Sequence, residues 1–183
     1  IGGGEESYGF LAQDFVRDKD AVSACSLLAE ICAYAKDHGK TLYDLLMDIY
    51  AEYGFSKEVT INVVKPGKSG ADEIKQMMVD FRNCPPKEIG GSQVVISKDY
   101  QTLTITAADG TTQPLDMPTT SNVLQWFCAD GTKISVRPSG TEPKIKFYIE
   151  IKDKTFKTAA DYDRCMQAAA DKVEAIKKSL CLD

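Results

Sequence analysis

Histidine and tryptophan occur once each among 183 residues. With His38 alone, no Ser-His-Asp or Cys-His set can be assembled, because no recognisable motif sets a nucleophile beside it. No apolar run approaches the roughly 18 to 20 residues of a membrane-spanning helix, so no membrane partner is expected. Positive charge is in deficit: 22 basic against 27 acidic residues leave a net charge of -5 and a pI near 5.0. That balance argues against a protein that coats nucleic acid. The six cysteines, Cys25, Cys32, Cys84, Cys128, Cys165 and Cys181, include no CxxC pair, which removes zinc-ribbon and thiol-exchange readings. Reduced thiols in the core are the expectation. A signal peptide is not visible either: Ile1-Gly-Gly-Gly-Glu-Glu opens with glycines and acids and without an initiator methionine. The chain is read as a cytoplasmic segment of a longer protein.

What remains is a globular composition, 43% apolar and 27% charged, with room for one domain or for a small domain and part of another. The first third is helical. Val22, Cys25, Leu28, Cys32 and Ala35 recur at three and four from a cap at Asp18 or Asp20, and Gly39 follows the end. Thr41 then caps a second helix whose Leu42, Leu45, Leu46, Ile49 and Tyr53 form a buried stripe ending at Gly54. Residues 54–58 read as a linker. Beyond them Val59, Ile61 and Val63 alternate with Thr60 and Asn62, the pattern of a strand. Further strands are predicted at 92–97, 102–107, 123–128, 133–137 and 144–151, with Asp109-Gly110 and Asp130-Gly131 as turns. Two more helices complete the pattern. Ser69 with Asp72 opens one that runs through Phe81 to the stop at Pro85-Pro86, and Thr158 with Asp161 opens another that reaches Leu180. The fold class predicted is α+β, a largely antiparallel sheet flanked by two helices, preceded by a helical tail.

Two loops carry candidate chemistry. Arg137-Pro-Ser-Gly-Thr-Glu-Pro-Lys144 joins two alternating strands, and a phosphate dianion needs what Arg137, Ser139, Gly140 and Thr141 offer: a charged fork, hydroxyls and a bare amide. The same residue types also suit an ordinary hairpin turn with a solvated arginine. At the start, Gly2-Gly3-Gly4-Glu5-Glu6-Ser7 places carboxylates and a hydroxyl on a glycine-rich loop suited to vicinal sugar hydroxyls, or else a flexible terminus. Lys65-Pro-Gly67-Lys68-Ser69 ends like a P-loop, but Asn62 stands where its first glycine belongs, so a helix start is the better reading. His38, beside Gly39 at a helix end, reads as structural.

Together the two loops resemble the α-D-phosphohexomutases, the phosphoglucomutase and phosphomannomutase family. Arg137-Pro-Ser-Gly-Thr-Glu-Pro-Lys144 is similar to the phosphate-binding loop of that family's fourth domain, and Gly4-Glu5-Glu6-Ser7 to the sugar-binding loop of its third. The resemblance implies that residues 1–56 end domain three and that residues 57–183 form domain four, a TATA-box-binding-protein-like α+β fold. It implies that Arg137, Ser139, the Gly140 amide and Thr141 clamp the non-reacting phosphate, while Glu5 and Ser7 hold sugar hydroxyls. It also implies a phosphosugar substrate, a sugar bisphosphate activator, a phosphoserine on domain one and Mg²⁺ on domain two. Neither the Ser-His-Asn loop nor the Asp-x-Asp-x-Asp-Arg loop of those domains occurs here, so the chain alone is expected to be inactive without them. Tyr8-Gly9 stands where some members carry Gly-His, which leans toward glucose phosphates. Residues 90–118 are long for the family's shortest members. The alternative is a free-standing module that binds a phosphorylated metabolite without chemistry.

Overall fold

Asp20 opens helix α1 (Ala21–Asp37) by accepting hydrogen bonds from the amides of Val22 and Ser23 at 3.1 and 2.9 Å. The computed structural model describes residues 2–4, 9–13 and 18–182, with Lys68 by its backbone only. The chain divides into two compact units, one of residues 1–53 with 157–159 and one of residues 54–156 with 160–183. In the first unit strands β1 (Gly3–Gly4) and β2 (Phe10–Leu11) pair antiparallel. α1 ends at His38, whose ring stacks on Tyr34 at 4.0 Å, and Gly39 takes the left-handed turn at φ 66°. A reciprocal box opens α2 (Leu42–Tyr53): Thr41 Oγ1 accepts from the Asp44 amide, and an Asp44 oxygen accepts from the Thr41 amide at 2.8 Å.

The stripe read as buried in α2 is corrected. Leu42, Leu46, Ile49 and Tyr53 are exposed, and Met47 is the residue that is covered. In α1 only Ala35 is buried. The described part of this unit offers two helices and a two-residue ribbon, with no broad sheet to receive their apolar sides.

The second unit is built on a sheet ordered β3-β10-β9-β8-β5-β6-β7, every neighbouring pair antiparallel, with β4 alongside β5. Its strands are β3 (Phe55–Val64), β4 (Glu88–Ile89), β5 (Ser92–Asp99), β6 (Thr104–Ala107), β7 (Thr112–Pro114), β8 (Leu124–Cys128), β9 (Lys133–Pro138) and β10 (Lys144–Asp153). The supposed linker at 54–58 is largely strand, because Phe55 is a core residue only 1% exposed and anchors β3 from its first position. Leu103 turns at φ 54°, so β6 begins two residues later than its sequence pattern indicates.

One face of the sheet carries the core. Trp126, Ile134, Val136, Ile145, Phe147 and Ile149 are buried there, and Phe81 of helix α3 (Gly67–Asn83) sets its ring edge-on to Trp126 at 5.2 Å and to Phe147 at 6.2 Å. Helix α4 (Tyr162–Leu180) buries Cys165, Ala169, Val173, Ile176 and Leu180, a helical repeat of three and four. α3 begins at Gly67 after Pro66, with no side chain capping its first amides, so Ser69 and Asp72 lie inside the helix and form no capping box. α4 begins at Tyr162, after the 3-10 turn Ala159–Asp161. All six cysteines are free thiols, but the expectation that they fill the core holds only for Cys128 and Cys165; Cys25, Cys32, Cys84 and Cys181 are exposed. Burial pushes the Cys128 thiol up to about 11.

Candidate functional site

β9 and β10 pair from Glu150 opposite Lys133 to Ile145 opposite Pro138, and the chain between them closes on itself. The Ser139 amide donates to the Lys144 carbonyl at 2.8 Å, and the Lys144 amide to the Glu142 carbonyl at 2.7 Å. Ser139 Oγ accepts from the amides of Thr141 and Glu142 at 3.4 and 3.2 Å, which leaves its hydroxyl proton free to be donated. The Pro143 carbonyl accepts from the Lys65 amide at 2.9 Å, tying the loop to the turn before α3. Lys144 Nζ is ion-paired with Glu142, and this contact holds the Glu142 carboxyl below its ordinary range.

Between the loop and the start of α3 lies an open groove of about 570 Å³, lined by residues 138–143 and by Gly67, Ala71, Lys75 and Asn122 among others. Ser139, Gly140 and Thr141 come together on its wall. Gly140 is exposed, and a Cβ added there would meet nothing within 4 Å, so a ligand atom can approach its amide. No acceptor among the described residues takes that amide. This wall is therefore a short arc of donors without a partner, next to the uncapped first turn of α3, whose partial positive charge has the same sign preference.

Arg137 is placed elsewhere. Val136 is fully buried under the helices, and side chains alternate along a strand, so Arg137 points to the sheet's opposite, open face; it is not among the groove's lining residues. The alternation of Ile134 and Val136 carried this signal in the sequence. Its cross-strand neighbour is Lys146, a like-charge juxtaposition that disfavours the sheet by itself. The Arg137 guanidinium forms no hydrogen bond or ion pair with another described residue. Glu5 and Ser7 lie outside the described residues.

Asn122 is the groove residue that sequence reasoning missed. Its amide oxygen accepts from Arg82 Nη2 at 2.7 Å, across a separation that no local motif announces. For Mg²⁺ the fit is poor: among the described residues no three His, Cys, Asp or Glu side chains gather as a cation site. The chemistry on view is that of donors for an anion.

The fold is an α+β domain, an antiparallel sheet with two helices on one face, and a loop of exposed donors closes one end of it. Residues 1–53 match the family model described as phosphoglucomutase/phosphomannomutase, alpha/beta/alpha domain III, and residues 87–161 match that of the family's C-terminal domain. The phosphoglucomutase of Staphylococcus aureus (strain MRSA252) is 41% identical over 157 residues, and that of Staphylococcus haemolyticus (strain JCSC1435) is 39% identical over 153. These alignments cover 85% and 83% of this chain and 28% of each relative. The solved structure of the exocytosis-sensitive phosphoprotein pp63/parafusin (phosphoglucomutase) from Paramecium, in its open form, shares the fold with a TM-score of 0.55 at 17% identity, over 98% of this chain and 30% of that one. The chain belongs to the phosphoglucomutase/phosphomannomutase family, with sequence of domain III followed by sequence of the C-terminal domain.

Proposed function

We propose that this chain supplies the phosphosugar-reading part of a phosphohexomutase that interconverts hexose 1-phosphate and hexose 6-phosphate through a bisphosphate. In this reading residues 1–56 close domain three and residues 57–183 form domain four. Ser139 and Thr141 donate through their hydroxyls, and Gly140 through its amide, to the phosphate that does not react. Arg137, which lies outside the groove on the open face of the strand that leads into the loop, adds charge from that side, and Glu5 and Ser7 hold sugar hydroxyls. A clamp of this kind serves both poses of the bisphosphate, since it reads the distal phosphate and hydroxyls and leaves the reacting carbon untouched. The phosphoserine and the Mg²⁺ site belong to other domains of the parent polypeptide, so the 183 residues alone bind weakly and turn nothing over. The working location is the cytoplasm.

The observation that carries the reading is the arc of unpartnered donors on a groove of about 570 Å³, within the size range of small-ligand sites. The test is a panel of hexose phosphates offered to the full-length protein with Mg²⁺ and a catalytic amount of glucose 1,6-bisphosphate. Mutase turnover by the full-length protein, and none by residues 1–183, is expected. Absence of turnover on every hexose phosphate would overturn the activity, and turnover by the isolated chain would overturn its dependence on the other domains.

A further inference from the structure

Asn122 lies in the loop between β7 and β8, on the groove wall shared with Ser139, Gly140 and Thr141. Its amide oxygen accepts the 2.7 Å bond from Arg82 Nη2. A guanidinium has donors only, so the oxygen must face Arg82 and the NH₂ group must face away from it. Arg82 is itself fixed in the last turn of α3: Nε and Nη2 donate to the two oxygens of Asp99, at 2.9 and 3.3 Å. That pair is mostly covered, with side chains 20% and 17% exposed, and Asp99 also accepts the Gln101 amide at 2.9 Å. A helix end, the end of β5 and the β7–β8 loop thus orient one carboxamide. If holding Arg82 were the whole task, an aspartate at position 122 would do it better, since it adds charge attraction to the same bond. The neutral amide instead keeps a second carboxylate out of the groove, where Glu142 is already neutralised by Lys144. It also offers two N–H donors that Arg82 does not use.

We infer that Asn122 Nδ2 donates to a phosphate oxygen of the guest in this groove, and that Arg82 and Asp99 are positioning residues that aim it. The inference rests on the proposed function, which places phosphate against the Ser139–Thr141 arc.

The test uses the full-length protein, with KM and kcat for glucose 1-phosphate, the inhibition constant of inorganic phosphate, and the melting temperature. Asn122→Asp keeps the oxygen that Arg82 needs and turns the donor into an anionic acceptor. It raises both KM and the phosphate inhibition constant by about 10- to 100-fold and does not lower the melting temperature. Asn122→Ala raises both by a few-fold, and Arg82→Met, which frees the amide to rotate, gives a loss between the two. Ser139→Ala separates the possible failures. If it weakens both ligands while Asn122→Asp stays within about two-fold of the parent, the role of Asn122 is wrong and the site stands. If neither variant changes binding, the site itself is wrong and the inference falls with it. A rise in KM with an unchanged phosphate constant would mean that Asn122 reads the sugar, which overturns the assignment to phosphate.

Discussion

The two ends of the β9–β10 hairpin are opposites in their hydrogen-bond accounts. At one end Asp153 accepts from the Thr155 amide at 2.7 Å, the Thr155 hydroxyl at 2.6 Å, Arg164 Nη1 at 3.2 Å and Cys165 Sγ at 3.4 Å. Beside it Asp130 accepts from the Thr132 amide at 3.0 Å and pairs with Lys172 at 2.5 Å. Every acceptor there has donors from the chain itself. At the other end the balance is reversed: the Ser139 and Thr141 hydroxyls and the Gly140 amide offer protons that no described residue accepts. Buried polar groups are ordinarily satisfied by the chain, whereas exposed donors such as Gly140 and Thr141 are left to water or to a ligand. The acidic end is scaffold, and the donor end is where the proposed function puts the phosphate.

The sharpest break in that contrast is Arg137→Ala. Charge-assisted hydrogen bonds contribute roughly 1.5 to 3 kcal/mol, so kcat/KM for a hexose phosphate in the full-length protein falls about 10- to 100-fold with an unchanged melting temperature. Unaltered kinetics would remove Arg137 from the clamp.

At the acidic end the effect is on stability. The hydroxyl of Thr155, acting against desolvation and followed by its amide, Cys165 and Arg164, lowers Asp153 from 3.8 to about 2. A depressed folded-state value means stabilisation that is complete above the unfolded value near 3.8 and is lost as pH falls from there toward 2. With solvent screening this amounts to about 1 to 2 kcal/mol. Urea midpoints measured across this window should drop in the parent and stay flatter in Asp153→Asn; parallel curves would refute the linkage.

Lys172→Met is smaller still. It removes the partner of Asp130 and a 2.8 Å bond to the Gly90 carbonyl, for about 1 kcal/mol in the urea midpoint, and leaves KM for the phosphosugar where it was. A changed KM would mean that the two ends are coupled. The finest test is Gly140→Ala. Its added methyl meets no protein atom, so stability moves by less than about 0.5 kcal/mol, while phosphate affinity falls a few-fold if the amide is approached as closely as proposed.

Much of the scaffold was legible because each signal was local. The caps at Asp20 and Thr41 depend on residues three positions away, and the Asp109-Gly110 and Asp130-Gly131 turns on glycines at φ 86° and 89°. Alternation marked the longer strands, whereas β4 and β7, at two and three residues, are too short to show a period. Ser56-Lys57-Glu58 disguised the start of β3, since an edge strand tolerates polar residues and only Phe55 betrays the burial. The stripe of α2 shows a limit of another kind: periodicity finds an apolar side and says nothing about what meets it. In the site, residue types along one loop pointed to Ser139, Gly140 and Thr141. Asn122 had no such signal, because its orientation is set by Arg82 and Asp99, which only the tertiary fold brings near.

The sheet order has a consequence for how the molecule is made. β3 occupies an edge, and its one neighbour is β10, with Phe55 opposite Asp153 and Val64 opposite Lys144. During synthesis the first of these ribbons must wait, unpaired, until the ribosome has delivered nearly everything between them. Premature termination before Lys144 leaves Phe55 without its lid and an adhesive rim open to other nascent chains.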